Sequence, residues 1–267
     1  MSVSTYQSRT HWQVTWSVWQ ALFVREFLTR LAADRLAWFW MLLEPIAIIS
    51  IMVGIRAFVL GTHSFINGAS FITWTLLGLL GYFMFRENMM RSVGAIDASI
   101  KLFTYRQVRP IDPVLVRCFL EGMLKSFVLF LFVVVGMLLD LDLFPDHFYS
   151  AVFIWISLWM LGVGTGLALG AASRLIPEIG IIARITTLPL LLISGALLPL
   201  HMLPEEILKF LMLNPLVHGL ELLRAAFVAS YRPLHGVSLA YFWFWILGMM
   251  LFGLMLHLRF KRQLQAE

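Results

Sequence analysis

Arg117, Glu121 and Lys125 recur at four-residue intervals inside an apolar run. On a helix they share one face, with Glu N-terminal to Lys in the order that favours an i,i+4 pair. Charges at membrane depth are costly and turn toward a partner or an aqueous path. Two readings follow: a polar lining for a translocation path, or a structural ladder at a packed interface. A second charge interrupts WMLLEPIAII, residues 40–49, where Glu44 precedes Pro45. Proline removes a backbone donor and permits a bend, so the pair is expected to form an elbow leading into a span. Glu44 would then face Arg35 or Arg91, or simply snorkel at a structural kink.

Other residue types with chemical potential form no catalytic pattern. A phosphate-binding P-loop needs glycine immediately before lysine, but Lys101, Lys125, Lys209 and Lys261 follow Ile, Leu, Leu and Phe. The seven histidines form no H-E-x-x-H and no other close ligand spacing. No serine stands in G-x-S-x-G. Asp140-Leu141-Asp142 has the D-x-D spacing of nucleotide-sugar metal sites, yet it falls in a loop that charge topology places outside, where a solvated loop is the reading. The lone Cys118 excludes an internal disulfide and a cysteine metal cluster.

The elements that must carry these residues are membrane helices. Of 267 residues, 60% are hydrophobic and 13% charged, and the mean hydropathy is +0.85; soluble domains are nearer half apolar and a quarter charged. A span needs roughly 20 apolar residues. Six windows meet or approach that length, at about 38–58, 66–86, 113–139, 148–173, 179–200 and 237–258. Lysines and arginines cluster before the first window, between the second and third, between the fourth and fifth, and after the last. Positive-inside logic therefore places both termini in the cytoplasm. The pI of about 9.7 follows from this topology, and nucleic acid is not expected as a partner. The first apolar block carries no small-residue cleavage site, so no cleavable signal peptide is expected.

Two regions flank the spans. Trp12, Trp16, Trp19 and Phe23 recur on one helical face, which reads as an interfacial helix on the membrane, with packing on other protein as the alternative. Between the fifth and sixth windows, residues 191–227 are broken by Gly195, Pro199 and Asn214-Pro215. Pro204 is expected at a first helical position, with Glu205 and Glu206 at the positive end of that helix. Short, proline-punctuated helices of this kind suit a re-entrant or external hairpin. Gly162, Gly166 and Gly170 allow close helix approach, either within one subunit or at a dimer seam. The fold class expected is an all-α membrane protein: six transmembrane helices, an N-terminal interfacial amphipathic helix and a broken helical hairpin between spans five and six.

REFLTRLAADRLAWFWMLLEP, the broken hairpin with LNPLVHGLELLRAAF and the short basic tail together resemble the permease subunit of ABC-2-type exporters. FTYRQVRPIDPVLVRCFLEG, residues 103–122, is most similar to the subfamily exporting capsular polysaccharide in Gram-negative bacteria. The resemblance covers essentially the whole chain, as one transmembrane domain over residues 1–267 with 1–36 interfacial, 37–258 spanning and 259–267 a cytoplasmic tail. It implies a homodimer in the bacterial inner membrane with two copies of a separate cytoplasmic ATPase. By the same implication that partner binds ATP and Mg2+, while this chain would be no enzyme itself and would hold no cofactor. It further implies a periplasmic polysaccharide co-polymerase or adaptor and a lipid-linked polysaccharide as cargo; an O-antigen, teichoic acid or other ABC-2 permease is the alternative. Arg106, Arg109, Pro177 and Glu178 would then couple to the ATPase, the latter two on a short loop from Arg174 to Arg184. His218, Glu221 and Arg224 would shape an external gate. Arg117, Glu121 and Lys125 would line the path, with Glu44 and Pro45 as its elbow. Two rivals remain open. An ion channel or secondary transporter would need acidic or histidine relays in several spans, which are sparse, and a non-catalytic envelope assembly protein would pull down no nucleotide-binding subunit.

Overall fold

The computed structural model describes residues 10–33, 43, 46–48, 51, 54, 55, 65–138 and 143–266. Most of the first predicted span, together with Glu44, Pro45, Asp140 and Asp142, lies outside the described residues. Among those described, the chain is almost entirely helical. Helix α1 runs His11–Ala33. A two-stranded hairpin, β1 Phe65–Ile66 and β2 Ala69–Ser70, then leads directly into α2, Phe71–Ser92. After a 3₁₀ segment at Asp97–Thr104 come α3 Ile111–Leu138, α4 Phe148–Leu175 and α5 Pro177–Ile193. Short helices α6 Glu205–Leu211 and α7 Pro215–Phe227 precede α8 Leu239–Arg259 and a terminal turn, α9 Lys261–Gln265.

Helices α2, α3, α4, α5 and α8 fall on the second to sixth predicted windows. Three of them, α3, α4 and α8, are long and apolar enough to cross a membrane. Helix α4 is the central column, packing most extensively on α8 and α2. Small residues make that closeness possible. A Cβ on Gly162 would stand 2.8 Å from Asn88 Cβ, and one on Gly164 2.9 Å from the Met250 backbone nitrogen. From the facing side, a Cβ on Gly253 would meet Ala168 N at 2.9 Å. The glycine stripe thus serves packing inside one subunit. Trp159 Nε1–H donates to the Cys118 carbonyl (2.9 Å) and Trp155 Nε1–H to Ser126 Oγ (2.9 Å), fastening α3 to the same column.

Local sequence sets several boundaries. The second helix begins at Phe71 rather than Ile66, because Asn67-Gly68 turns the chain with φ of 48° and 97°, the two positive values a tight hairpin turn needs. Ser70 then caps α2 by accepting from Thr73 N–H. The expected loop from Arg174 to Arg184 shrinks to Ile176, whose extended backbone separates α4 from α5. Pro177 opens α5 at once, and Glu178 lies in its first turn. Helix α5 ends at Ile193, short of the expected residue 200, with Gly195 at φ 72°. Pro204 stands just before α6 with extended ψ (146°) rather than in its first turn. Asn214-Pro215 does break the chain, and Asn214 Oδ1 caps α7 through Leu216 N–H at 3.0 Å.

Much of the outer surface is apolar. Ile181, Ile182, Ile185 and Leu188 stand well exposed on α5, as do Leu251, Met255 and Leu258 on α8. Contiguous exposed aliphatic rows of this kind belong against lipid or another protein surface rather than water.

Candidate functional site

The two ends of the bundle are built differently. One end carries α1, the close of α2, the start of α3 and the chain's last residues; the other carries the β-hairpin, α6 and α7.

At the α1 end, the predicted ladder on α3 takes partners from neighbouring helices. Arg117 Nε lies 3.0 Å from Glu26 Oε1 on α1, and its Nη1–H donates to the Arg91 carbonyl (3.2 Å). Glu121, 3% exposed, stands 3.4 Å from Arg91 Nε on α2. Glu87, one turn earlier on α2, lies 3.5 Å from the same Nε and 3.6 Å from Arg86 Nη1. Lys125 is 6% exposed and sits with Nζ 5.8 Å over the Phe83 ring, a cation–π contact in a dry setting. The ladder is therefore the meeting line of α1, α2 and α3.

The tryptophan stripe of α1 divides there. Trp19 Nε1–H donates to Asp112 Oδ1 at 2.9 Å, Phe23 packs edge-on to Phe119, and Arg25 donates to Ser99 Oγ at 3.0 Å. Trp12 and Trp16 stay exposed. Packing on protein thus claims the second half of the stripe and leaves the first half outward. Asp112, which the sequence reading passed over, is buried and also accepts from Arg109 N–H at 2.7 Å. Its place in RPIDP, in the first turn of a helix, was the available signal. Arg106, Arg109, Pro177 and Glu178 are all exposed at this end. Arg174 joins Asp97 (2.7 Å) and the Ala266 carbonyl, and Leu264 is buried beside Ile96 and Val114, so the chain's tail clasps the segment after α2.

At the opposite end, Glu221 and Arg224 form a closed network. Arg224 is 1% exposed, and Nη1 donates to Glu221 Oε1 (2.9 Å). Its Nε–H donates to the Trp74 carbonyl (3.2 Å) and Nη2 to the Gly195 carbonyl (2.8 Å), while the guanidinium lies 3.7 Å over the Trp74 ring. Tyr231 donates its hydroxyl proton to the Glu221 carboxylate (2.9 Å), Leu234 N–H donates to Oε2 (3.1 Å), and Trp74 Nε1–H donates to the Tyr231 oxygen (3.3 Å). Burial first, then the adjacent Glu221 charge, pushes the Tyr231 pKa upward. His218 bridges two turns: Ser238 N–H donates to Nδ1 (3.0 Å), which leaves Nε2–H to donate to the Met212 carbonyl (2.8 Å). Trp74 and Tyr231 lie 157 positions apart, beyond the reach of any periodicity argument.

A family model for ABC-2 type transporters matches residues 17–228, from α1 to just past α7. The chain belongs to this family. Among curated relatives, the ABC-2 protein is 35% identical to an Escherichia coli "polysialic acid transport protein" over 89% of its own length and 91% of the relative's. It is 26% identical to a Haemophilus influenzae "capsule polysaccharide export inner-membrane protein" over 92% of each chain. A Neisseria meningitidis protein of the same description is 26% identical over 78% and 77%. The matched stretch of this ABC-2 chain contains the whole charge line of α1, α2 and α3 and the whole Glu221–Arg224 pair, so both constructions sit within the family's shared domain.

Proposed function

We propose that this chain is the membrane-spanning permease subunit of an ATP-driven exporter that moves a lipid-linked capsular polysaccharide across the bacterial inner membrane. The carrying observation is the 35% identity to a polysialic acid transport protein over nearly nine-tenths of both chains. In this reading the permease spans the membrane six times with both termini cytoplasmic. It works as a homodimer with two copies of a separate ABC ATPase, which supplies ATP hydrolysis with Mg2+, and it hands cargo to a periplasmic adaptor. The exposed aliphatic row of α5 supports a second copy as neighbour. The exposed Arg106, Arg109, Pro177 and Glu178 offer the ATPase an adaptable polar surface at the α1 end.

The charge line supports a reading of individual roles on the same footing. An acidic glycan needs cationic groups along its way, and Lys125 is a buried cation whose described contact is an aromatic ring. Lys125 and Arg117 are the path-lining cations of the proposal, and Glu121 holds Arg91. His218, Glu221 and Arg224 hold the external hairpin as one body, so any gate surface belongs to what that body presents, including the exposed Ile207 and Phe210 of α6.

The test is complementation of a capsule-export strain lacking its own permease. Wild-type chain should restore surface polysaccharide and co-purify with a nucleotide-binding subunit. Lys125→Leu should lower export while leaving that co-purification intact. Failure to retain any ATPase would sink the exporter reading, whereas full export by Lys125→Leu would remove only Lys125 from the path.

A further inference from the structure

We propose that Arg91 docks the phosphate of an anionic phospholipid of the surrounding bilayer. Arg91 occupies the last turn of α2 and is 57% exposed at its side chain. Two carboxylates hold it from behind through Nε, Glu121 at 3.4 Å and Glu87 at 3.5 Å, and both are largely buried. These distances exceed the roughly 2.7–2.9 Å of a tight guanidinium–carboxylate bond, so the side chain is aimed without being saturated. Arg224 shows the contrast: it is enclosed, with donors at 2.8–3.2 Å to three backbone or side-chain oxygens. With Nε held by the two carboxylates and more than half of the side chain exposed, the rest of the planar guanidinium is available as the kind of donor fork that binds a phosphate through two parallel bonds.

Depth decides which phosphate is within reach. Helix α3 has 28 residues, about 42 Å at 1.5 Å per residue, against roughly 30 Å of hydrocarbon. Its last charge is Lys125, and Ser126 to Leu138 carries none, so the Leu138 end fills the apolar layer and the Ile111 end protrudes. Counting about 20 residues back from Leu138 puts the hydrocarbon boundary near Phe119. Arg117 and Glu121 straddle that level, and Arg91 meets both of them, one through its carbonyl and one through Nε. The exposed fork thus lies at the plane of the headgroup phosphates. Trp12 and Trp16, exposed on the neighbouring α1, suit the same interfacial layer.

The inference needs only the membrane placement of α3, so it stands or falls separately from the glycan reading. Purified permease is titrated with phosphatidylglycerol or phosphatidylcholine and bound lipid is counted by native mass spectrometry. Wild type should retain phosphatidylglycerol preferentially, and Arg91→Gln should weaken that retention about tenfold, the worth of one hydrogen bond to a charged group rather than of diffuse surface charge. Arg91→Lys should fall between, keeping charge without the fork. Arg259, exposed at the same end of α8, is the control: Arg259→Gln should leave retention unchanged. Equal retention by wild type and Arg91→Gln overturns the assignment, and so does an equal loss in Arg259→Gln, which would reveal only diffuse surface charge. Unfolding temperatures check that the Arg91 variants remain folded, and co-purified lipid in the untreated wild type provides an independent count.

Discussion

Replacing Arg224 with methionine keeps an unbranched side chain but removes the one charge that faces Glu221 among the described residues. Glu221, itself nearly inaccessible, would retain the Tyr231 hydroxyl and the Leu234 N–H but lose its counter-charge. Removing one partner of a buried ion pair costs about 3–5 kcal/mol, because the survivor keeps its desolvation penalty. The carbonyls of Trp74 and Gly195 lose a donor in the same step, which favours the upper half of that range. For a chain of this size each kcal/mol moves the unfolding midpoint by about 2–4 °C, so Arg224→Met should unfold about 6–20 °C lower. The assay is tryptophan fluorescence during thermal unfolding in detergent, with Trp74 as a reporter inside the network. Adding Glu221→Gln to Arg224→Met removes the stranded charge and should recover part of the loss, giving a non-additive double-mutant cycle. Export per folded molecule should remain near wild type, since both side chains are enclosed behind the surface that the hairpin presents. A midpoint shift below about 2 °C, or an additive cycle, would refute the account of this network as the fastening of the hairpin end.

Two further outcomes follow from particular contacts. Tyr231 has a folded-state pKa raised above its usual value of about 10, so the folded chain keeps a proton that the unfolded chain releases. That contribution is fully present below pH 10 and is lost as pH rises above it, at up to about 1.4 kcal/mol per unit; Tyr231→Phe should flatten this alkaline fall in a pH series of unfolding midpoints. Gly253→Leu places a side chain where the Ala168 backbone nitrogen stands 2.9 Å from a Cβ, and prying α8 from α4 should cost about 1–3 kcal/mol, read as a lower midpoint and earlier proteolysis.

Hydropathy windows made helices α2 to α5 and α8 legible, because bilayer-facing residues must be apolar in runs whatever their tertiary partners. Proline and asparagine made the breaks of the hairpin legible for an equally local reason. The sequence left open whether the glycine stripe faced a sister helix or a sister subunit, since spacing states that something comes close but not what. The ladder's i,i+4 order pointed to pairs along α3, and Arg117 and Glu121 also meet Glu26 and Arg91 on other helices; spacing along one helix says nothing of the charged faces packed beside it. Pro204 and the Arg174–Arg184 loop moved by a few residues because one extended residue, Ile176, is enough to turn a corner.

Helix α2 ties the two ends together, and their difference in construction has a mechanical meaning. Its first turn contributes Trp74 to a network where every charge is enclosed and met by short bonds, and its last two turns contribute Arg86, Glu87 and Arg91 to one where distances run from 3.4 to 3.6 Å. About 17 residues separate Trp74 from Arg91, or roughly 25 Å of continuous helix. A saturated buried pair gains nothing by moving, because any displacement strands a charge in a dry site. A shared guanidinium between two carboxylates can trade one for the other at small cost, since its contacts are already long and the guanidinium itself stands more than half exposed. Contacts at the α1 end therefore have their softest element at Arg91, while the hairpin network and Tyr82, whose hydroxyl donates to the Thr187 carbonyl on α5, belong to the stiffer part of the bundle.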